Sequence, residues 1–354
     1  MKILLLSRYE RLGASSRVRM LQYVPYLEER GLRITVSALF TDDYLRYYYR
    51  TGKKNLAETA KSYLRRVARL VMSGGYDLLW IEKELFPFLP SCGESLLRVF
   101  RKPYVVDYDD AVFHNYDRHS SRAVRLLMGE KIDTVMRKAA MVVAGNDYLA
   151  ERARRAGAAR VECLPSVIDL DRYQVAPPQA KTTFTIGWIG SPSITYYLNM
   201  VTPAIAEVCR DGSTRLVLVG AGDVALAGIP VEVRSWSENS EVADVQTFDV
   251  GIMPLPDTPW EQGKCGFKLI QYMACGIPVI ASPIGINTSI VEHGMNGFLA
   301  DTADEWARAV NTLRDNPELR LRMGRVGREK VEAEYCLQVT APRMFELLKG
   351  GDGK

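Results

Sequence analysis

The sequence predicts an α/β protein built from two Rossmann-like domains, each a parallel sheet covered by helices. Two observations carry this. Short apolar runs alternate with segments of helical period, and the alternation stops at a proline-bearing stretch near 166–183 and then restarts. Apolar strands separated by helices form parallel sheets buried on both faces. With 354 residues, the chain is long enough for two domains of ordinary size.

In the first half, strands are expected at 2–7, 32–38, 77–81, 104–107 and 140–144, with a short one at 161–164. Between the first two, Val18, Leu21, Val24 and Leu27 repeat at helical spacing, so 17–30 reads as a helix stopped by Gly31. The stretch SVIDLDRYQVAPPQAKTT, with Pro177 and Pro178, reads as a linker. Beyond it, strands are expected at 184–189, 215–219, 231–234, 247–253 and 278–282, with helices at 194–210 and 266–275. The tail from 302 to 349 is helical, with Trp306, Val310 and Leu313, then Leu319, Met323 and Val326, then Met344, Leu347 and Leu348. Ligands of such sheets sit at the carboxyl ends of the strands, in the cleft between domains.

Composition excludes several classes. Hydrophobic residues make up 47% and charged residues 25%, as in soluble globular proteins, and no run of ~18 apolar residues could span a bilayer. The start, MKILLLSRYERLG, has too short an apolar core for a signal peptide and reads as a strand. Cysteines 92, 163, 209, 265, 275 and 336 lack CxxC spacing and are expected as reduced, mostly buried thiols of a cytoplasmic protein. Three histidines argue against a zinc site.

Residues 249–299 carry the strongest functional signal. A short strand, Val250 to Met253, leads into a loop with Pro254, Pro256 and Pro259 that ends in Gly263-Lys264-Cys265-Gly266. A helix is expected from Phe267 to Gly276. A helix start offers unpaired N–H groups and the positive end of the dipole, and Lys264 and Lys268 add charge. The pattern suits a phosphate or diphosphate; a solvated loop with two surface lysines explains it equally well.

Other strand ends carry polar clusters. Asp107-Tyr-Asp109-Asp110 follows the strand at 104–107; it can act in the cleft, bind a divalent cation, or simply cap a turn. Glu82, Lys83 and Glu84 follow the strand at 77–81, either toward an acceptor or as a solvated turn. His114 lies just beyond the aspartates. Arg17 and Arg19, behind Gly13-Ala14-Ser15-Ser16, are further cationic candidates. Asn146 reads equally as a helix N-cap and as a site residue. Leu216–Ala225 fits a GxGxxA dinucleotide fingerprint, but Gly228 and Pro230 oppose the helix that must follow, and no acid ends a second strand at the right distance.

Asp249-Val-Gly-Ile-Met-Pro-Leu, then Gly263-Lys264-Cys265-Gly266-x-Lys268-x-x-Gln271-Tyr272-Met273-Ala274, then Gly276-x-Pro278-Val279 and Gly294-x-Asn296-Gly297-Phe298 resemble the C-terminal domain of retaining glycosyltransferase family 4. The resemblance implies a GT-B fold: an acceptor domain at 1–170, a nucleotide-sugar domain at 171–335, and a final helix at 336–354 that returns to the first domain. It implies a nucleotide-diphosphate sugar donor, no cofactor and no required metal. The implied donor set is Gly13, Ala14, Gly190, Ser191, Ser193, Gly263, Lys264, Cys265, Gly266, Phe267, Lys268, Leu269 and Gln271. Asp109, Asp110 and Lys268 are expected at the reaction; Glu82, Glu84 and His114 are expected at a glycan or lipid-linked acceptor.

The sequence departs from the family at two places. The usual pair of glutamates aligns with Gly263 and Gln271, and Glu261 is a possible substitute for the first; the Arg…Lys pair after the first strand of the second domain is replaced by Gly190-Ser191-Pro-Ser193. A nucleotide-sugar epimerase of the same fold, and a catalytically silent sugar-nucleotide-binding partner, therefore stay open beside a transferase of cell-surface polysaccharide synthesis.

Residues 43–72 hold eight Lys/Arg against Asp43 and Glu58, with five interleaved tyrosines. Leu56, Tyr63, Leu64, Val67, Leu70 and Val71 follow helical spacing. Such a segment suits an anionic membrane surface on the inner face, or plain packing with a solvated basic face. No motif supports nucleic acid.

Overall fold

The computed structural model describes residues 1–350 except 92, 93, 95, 96, 98–101 and 178–181. Cys92 and Pro178 therefore lie outside the described residues.

Two compact units emerge. The first comprises Met1–Ser166, Gly263–Cys265 and Thr340–Lys354; the second comprises Val167–Gln262 and Gly266–Val339. The first unit holds strands β1 (Lys2–Leu6), β2 (Arg33–Val36), β3 (Leu78–Glu82), β4 (Tyr104–Tyr108), β5 (Met141–Ala144) and β6 (Val161–Cys163), in sheet order β2-β1-β3-β4-β5-β6. Every pairing in it is parallel. β3, β4 and β5 are buried along their whole length, as apolar runs covered on both faces must be. The chain leaves β1 for one side and returns on the other at β3. Such a reversal marks the carboxyl ends of β1 and β3 as the place for a ligand; Ser7 follows β1 there and Lys83 follows β3.

The second unit repeats the plan. Strands β7 (Phe184–Ile189), β8 (Thr214–Val219), β9 (Val231–Arg234), β10 (Val250–Met253), β11 (Val279–Ala281) and β12 (Gly297–Leu299) form a parallel sheet in the order β12-β11-β10-β7-β8-β9. Its reversal lies between β7 and β10. The loops after these two strands carry Gly190–Ser193 and the run toward Gly263, so topology gathers motifs that lie far apart in sequence. A layer of apolar residues packs each face; Trp188, Leu198, Leu216 and Trp306 lie in one, Phe248, Leu269, Tyr272 and Val279 in the other.

The expected strands fall within a few residues of the observed ones, but two expected helices break. The segment 17–30 forms Ala14–Arg19, a 3₁₀ turn at Leu21–Tyr23, and Val24–Glu29. Pro25 lacks an N–H and so sits in the first turn of a new helix rather than inside a long one. The segment 194–210 likewise divides into a 3₁₀ stretch, Pro192–Met200, and a helix, Thr202–Val208, with Pro203 in its first turn. Strand 247–253 shortens to Val250–Met253 because Thr247 and Phe248 close a turn on the preceding helix. β12 was not anticipated; its three residues are too few to show a period. The tail forms Ala303–Asp315, Pro317–Glu334 and Leu337–Lys349. Thr340 of the last helix meets the Tyr23 hydroxyl at 3.0 Å inside the first unit.

Candidate active site

In the first unit, the ends of β3 and β4 place one lysine between two aspartates. Lys83 has φ +62°, a left-handed conformation uncommon for a residue with a side chain. Its N–H is donated to the Asp107 carbonyl at 2.9 Å. Its Nζ lies 2.8 Å from Asp109 Oδ1 and 3.5 Å from Asp110 Oδ2. Ser15 donates its hydroxyl to Asp109 Oδ2 at 2.5 Å. Burial pushes Asp109 up, but Lys83 and Ser15 outweigh it and hold the carboxyl down at about 2. Burial pulls Lys83 down, and the two aspartates overcome it, so the ammonium stays charged above the usual lysine range.

Lys264, of the segment Gly263–Cys265, donates to Asp110 Oδ1 at 2.7 Å. Burial opposes its charge and Asp110 restores it, leaving a raised pKa. Asn146 caps the helix Asp147–Arg155 through Oδ1, and its amide nitrogen is donated to the Lys264 carbonyl at 2.9 Å. The bland reading of Asn146 as an N-cap holds, and the same side chain anchors the glycine-rich segment. Cys265 is buried, and burial pushes its thiol up, so it offers no thiolate. A Cβ at Gly263 would lie 2.6 Å from the Ala111 Cβ and 2.8 Å from its backbone nitrogen. The glutamate absent from this position has no room there.

Several expected site residues are turned inward instead. Asp107 is 1% exposed and forms a two-pronged ion pair with Arg19, at 2.8 and 3.0 Å. The Asp107-x-Asp109-Asp110 cluster thus meets three separate cations, Arg19, Lys83 and Lys264, rather than converging on one point. Arg19 and Arg17 are buried, and Arg17 donates to the Arg11 carbonyl at 2.9 Å, so neither is an outward phosphate ligand. Glu82 accepts from the Ser16 hydroxyl at 2.6 Å and the Arg8 N–H at 2.7 Å. Glu84 pairs with Lys131 at 2.5 Å and accepts from the Tyr116 hydroxyl at 2.7 Å. Both glutamates are almost fully buried and serve the fold, which corrects their expected place at an acceptor. His114 is half-buried, its Nδ1 2.8 Å from Asp117 and its Nε2 2.9 Å from the Tyr148 hydroxyl. Burial keeps its pKa below the usual histidine value despite Asp117. Gly13 is buried with no space for a side chain beside Tyr9, and Ala14 opens the short helix whose next residue reaches Asp109.

The second unit presents backbone and hydroxyls at its strand ends. A Cβ at Gly190 would lie 2.5 Å from the Trp188 ring, and one at Gly220 would lie 2.6 Å from the Gly190 carbonyl. The ends of β7 and β8 are bare because they touch. Gly220 and Gly222 have positive φ, and no helix lies between β8 and β9, so the GxGxxA pattern lacks the helix N-terminus a dinucleotide needs. Ser191 and Ser193 join hydroxyls at 2.8 Å. The helix Phe267–Ala274 starts from Gly266, at φ +65°, where a Cβ would strike Ile290. Lys268, half-buried, lies with Nζ 5.4 Å from the Trp188 ring centre. Leu269 points into the core. Gln271 is 3% exposed and donates to the Tyr173 hydroxyl at 2.9 Å; Tyr173 in turn donates to Glu241, which also accepts from Trp236 at 2.7 Å. Glu261 is buried and accepts from the Tyr197 and Thr258 hydroxyls.

Residues 182–316 match the family described as glycosyl transferases group 1. These residues form a group 1 glycosyltransferase domain. The match includes Gly190, Gly266 and Lys268 of the second unit and also the segment Gly263–Cys265, which belongs to the first. A GDP-mannose-dependent alpha-(1-6)-phosphatidylinositol monomannoside mannosyltransferase of Mycobacterium tuberculosis is 26% identical over 220 residues, covering 55% of this chain and 57% of that protein. A phosphatidyl-myo-inositol mannosyltransferase of Mycobacterium leprae is 25% identical over 303 residues, covering 80% and 75%. The chain thus spans little more than half the length of the first of these relatives. Among solved structures, a sucrose-phosphate synthase of Thermosynechococcus elongatus superposes with TM-score 0.75 at 16% identity, covering 99% of this chain and 98% of that one. HepE of Anabaena, solved in complex with UDP-glucose, superposes with TM-score 0.73 at 16% identity and 99% coverage of both chains. The fold of the chain is GT-B.

The sequence analysis named Lys83 without its aspartate partners, and it missed Lys131 and the Tyr173–Glu241 pair. Lys83 had a usable signal: it directly follows β3, and the cluster it meets directly follows β4. Tyr173 and Glu241 had none, since each is one polar residue in an unremarkable segment.

Proposed function

We propose that this protein transfers a sugar from a nucleoside-diphosphate donor to a glycan or lipid-linked acceptor, with retained anomeric configuration, in the synthesis of cell-surface polysaccharide. The observation that carries the reading is the group 1 domain at 182–316, whose helix Phe267–Ala274 opens from a left-handed glycine with Lys268 in its first turn. The donor's diphosphate is assigned to the positive end of this helix, with Lys268 supplying charge and the Ser191 and Ser193 hydroxyls supplying further donors. Such groups, fixed before the reaction, stabilise the departing diphosphate more than the bound donor, which is what accelerates the step. Asp109, kept ionised by Lys83 and Ser15, is placed at the reacting sugar, with Asp110 beside it. Front-face attack by the acceptor hydroxyl, its proton passing to the leaving phosphate oxygen, accounts for retention. The enzyme is read as cytoplasmic, working at the inner membrane face where lipid-linked acceptors are presented.

A thermal-shift panel of UDP, GDP, ADP, TDP and NAD⁺ tests the reading. Stabilisation by one nucleoside diphosphate supports it and names the base. Stabilisation by NAD⁺ alone overturns it. Incubation with the matching nucleotide sugar then separates transfer from epimerisation, which would interconvert free nucleotide sugars, and from a silent binding protein, which would do neither.

A further inference from the structure

The helix Leu56–Val71 in the first unit is mounted with Ser62, Arg66 and Leu70 inward. Ser62 and Arg66 are each 2% exposed, and Arg66 Nη2 donates to the Ser7 carbonyl at 2.6 Å and the Ser37 carbonyl at 3.2 Å, just past the ends of β1 and β2. Tyr63 donates its hydroxyl to the Pro87 carbonyl. These contacts fix the rotation of the helix: turning the apolar residues inward would withdraw a buried guanidinium from both carbonyls. Leu56, Leu64, Val67 and Val71, with Met72 next in the chain, consequently face outward at 48–78% exposure. A stripe of large apolar side chains on an exposed helix marks an interaction surface.

Its surroundings identify the partner. Lys61 lies on the same outward side, and Lys53 and Lys54 are exposed just before the helix, whereas Arg65 turns its Nη2 to the Ser62 hydroxyl at 3.0 Å and the Leu39 carbonyl at 3.4 Å. The one acid of the helix, Glu58, is 3.5 Å from Lys61 and offsets only that charge. Lys54 Nζ lies 4.3 Å from the ring centre of Phe88, itself half exposed at φ +62°. The Phe88 N–H is donated to the Tyr116 hydroxyl at 2.9 Å, which fixes this ring beside Lys54. An apolar stripe edged by cations, with little acid, matches the boundary between acyl chains and anionic headgroups.

We infer that the outward face of Leu56–Val71 docks on an anionic lipid surface, with Leu64, Val67 and Val71 inserted and Lys53, Lys54 and Lys61 against the headgroups. This deepens the functional reading above and rests on it, since a lipid-linked acceptor is met at that surface. It also corrects the sequence-based assignment of the basic segment, because Arg66 is an internal anchor and not a headgroup ligand.

The test is co-sedimentation of the full chain with phosphatidylcholine vesicles, with and without phosphatidylglycerol as about one third of the lipid. Binding is expected only to the anionic vesicles and is expected to weaken with salt. The triple variant Leu64→Glu, Val67→Glu, Val71→Glu and the double variant Lys53→Glu, Lys61→Glu are each expected to bind about tenfold or more weakly. Both keep exposed positions exposed, and an unchanged circular-dichroism melt and unchanged nucleotide stabilisation establish that they fold. Equal binding of wild type and triple variant, or no binding by wild type, overturns the inference. So does a dimer in sedimentation equilibrium that the triple variant dissociates, which would assign the face to a second copy. Nucleotide stabilisation without vesicle binding would sink the docking surface and leave the transferase reading intact; vesicle binding without nucleotide stabilisation would do the reverse.

Discussion

Position 263 is occupied by the residue that fits. A Cβ there would press on Ala111 at 2.6 Å, with the backbone nitrogen at 2.8 Å, so neither neighbour can simply swing away. Gly263→Glu, which restores the residue usual in family 4, is expected to destabilise by about 1–3 kcal/mol or more, read by chemical denaturation, instead of raising activity. Asp109 offers a pH signature. Its folded value of about 2 lies below the model-peptide value of 3.8, so its stabilising contribution is present above about pH 4 and is lost as pH falls toward 2. Asp109→Asn is expected to cost roughly 2 kcal/mol at neutral pH, and the difference between variant and wild type is expected to close over that acid window. Strand ends were legible as polar clusters. The partners within them were not, because Lys83 and Asp109 are neighbours only once β3 and β4 are paired.

Among the elements, Leu56–Val71 shows how far periodicity reaches. Helical spacing located it to the residue, and Asn55 caps it, accepting from the Glu58 N–H at 3.1 Å. Asn55→Ala is expected to cost about 1 kcal/mol in thermal or chemical melts, the usual loss of an N-cap. The side of the helix that turns inward was not legible. An amphipathic pattern says that two faces differ, and the rule that the apolar face is buried fails here because Arg66 finds two carbonyls inside. Arg66→Met is expected to cost about 2–4 kcal/mol, since it leaves the Ser7 and Ser37 carbonyls without this donor. The opposite case is Leu216–Ala225, where a short motif suggested a dinucleotide site and the missing helix removes it. In both cases the local pattern stayed correct while its surroundings changed its meaning.

For the whole molecule, folding and nucleotide binding are linked. A ligand bound only by the native state at a hundredfold its dissociation constant adds about 2.7 kcal/mol of stability, so the correct nucleoside diphosphate is expected to raise Tm by several degrees. Lys268→Ala is expected to weaken that nucleotide by about tenfold while leaving the Tm without nucleotide nearly unchanged, because Lys268 is half-buried and adds little to the core. Normal affinity in this variant would remove the phosphate assignment. The sequence by itself determined the alternation of strand and helix, hence two parallel sheets, and the glycine-rich helix start that ties residues 182–316 to group 1. These are properties of short segments, set by period, turn chemistry and backbone freedom. Only the tertiary structure decided that Asp107 belongs to Arg19, that Glu84 belongs to Lys131, and that Leu64, Val67 and Val71 look outward. A charged side chain pairs with whatever the fold brings within about 4 Å, and that neighbour is fixed by strand order and helix rotation, which no local pattern contains.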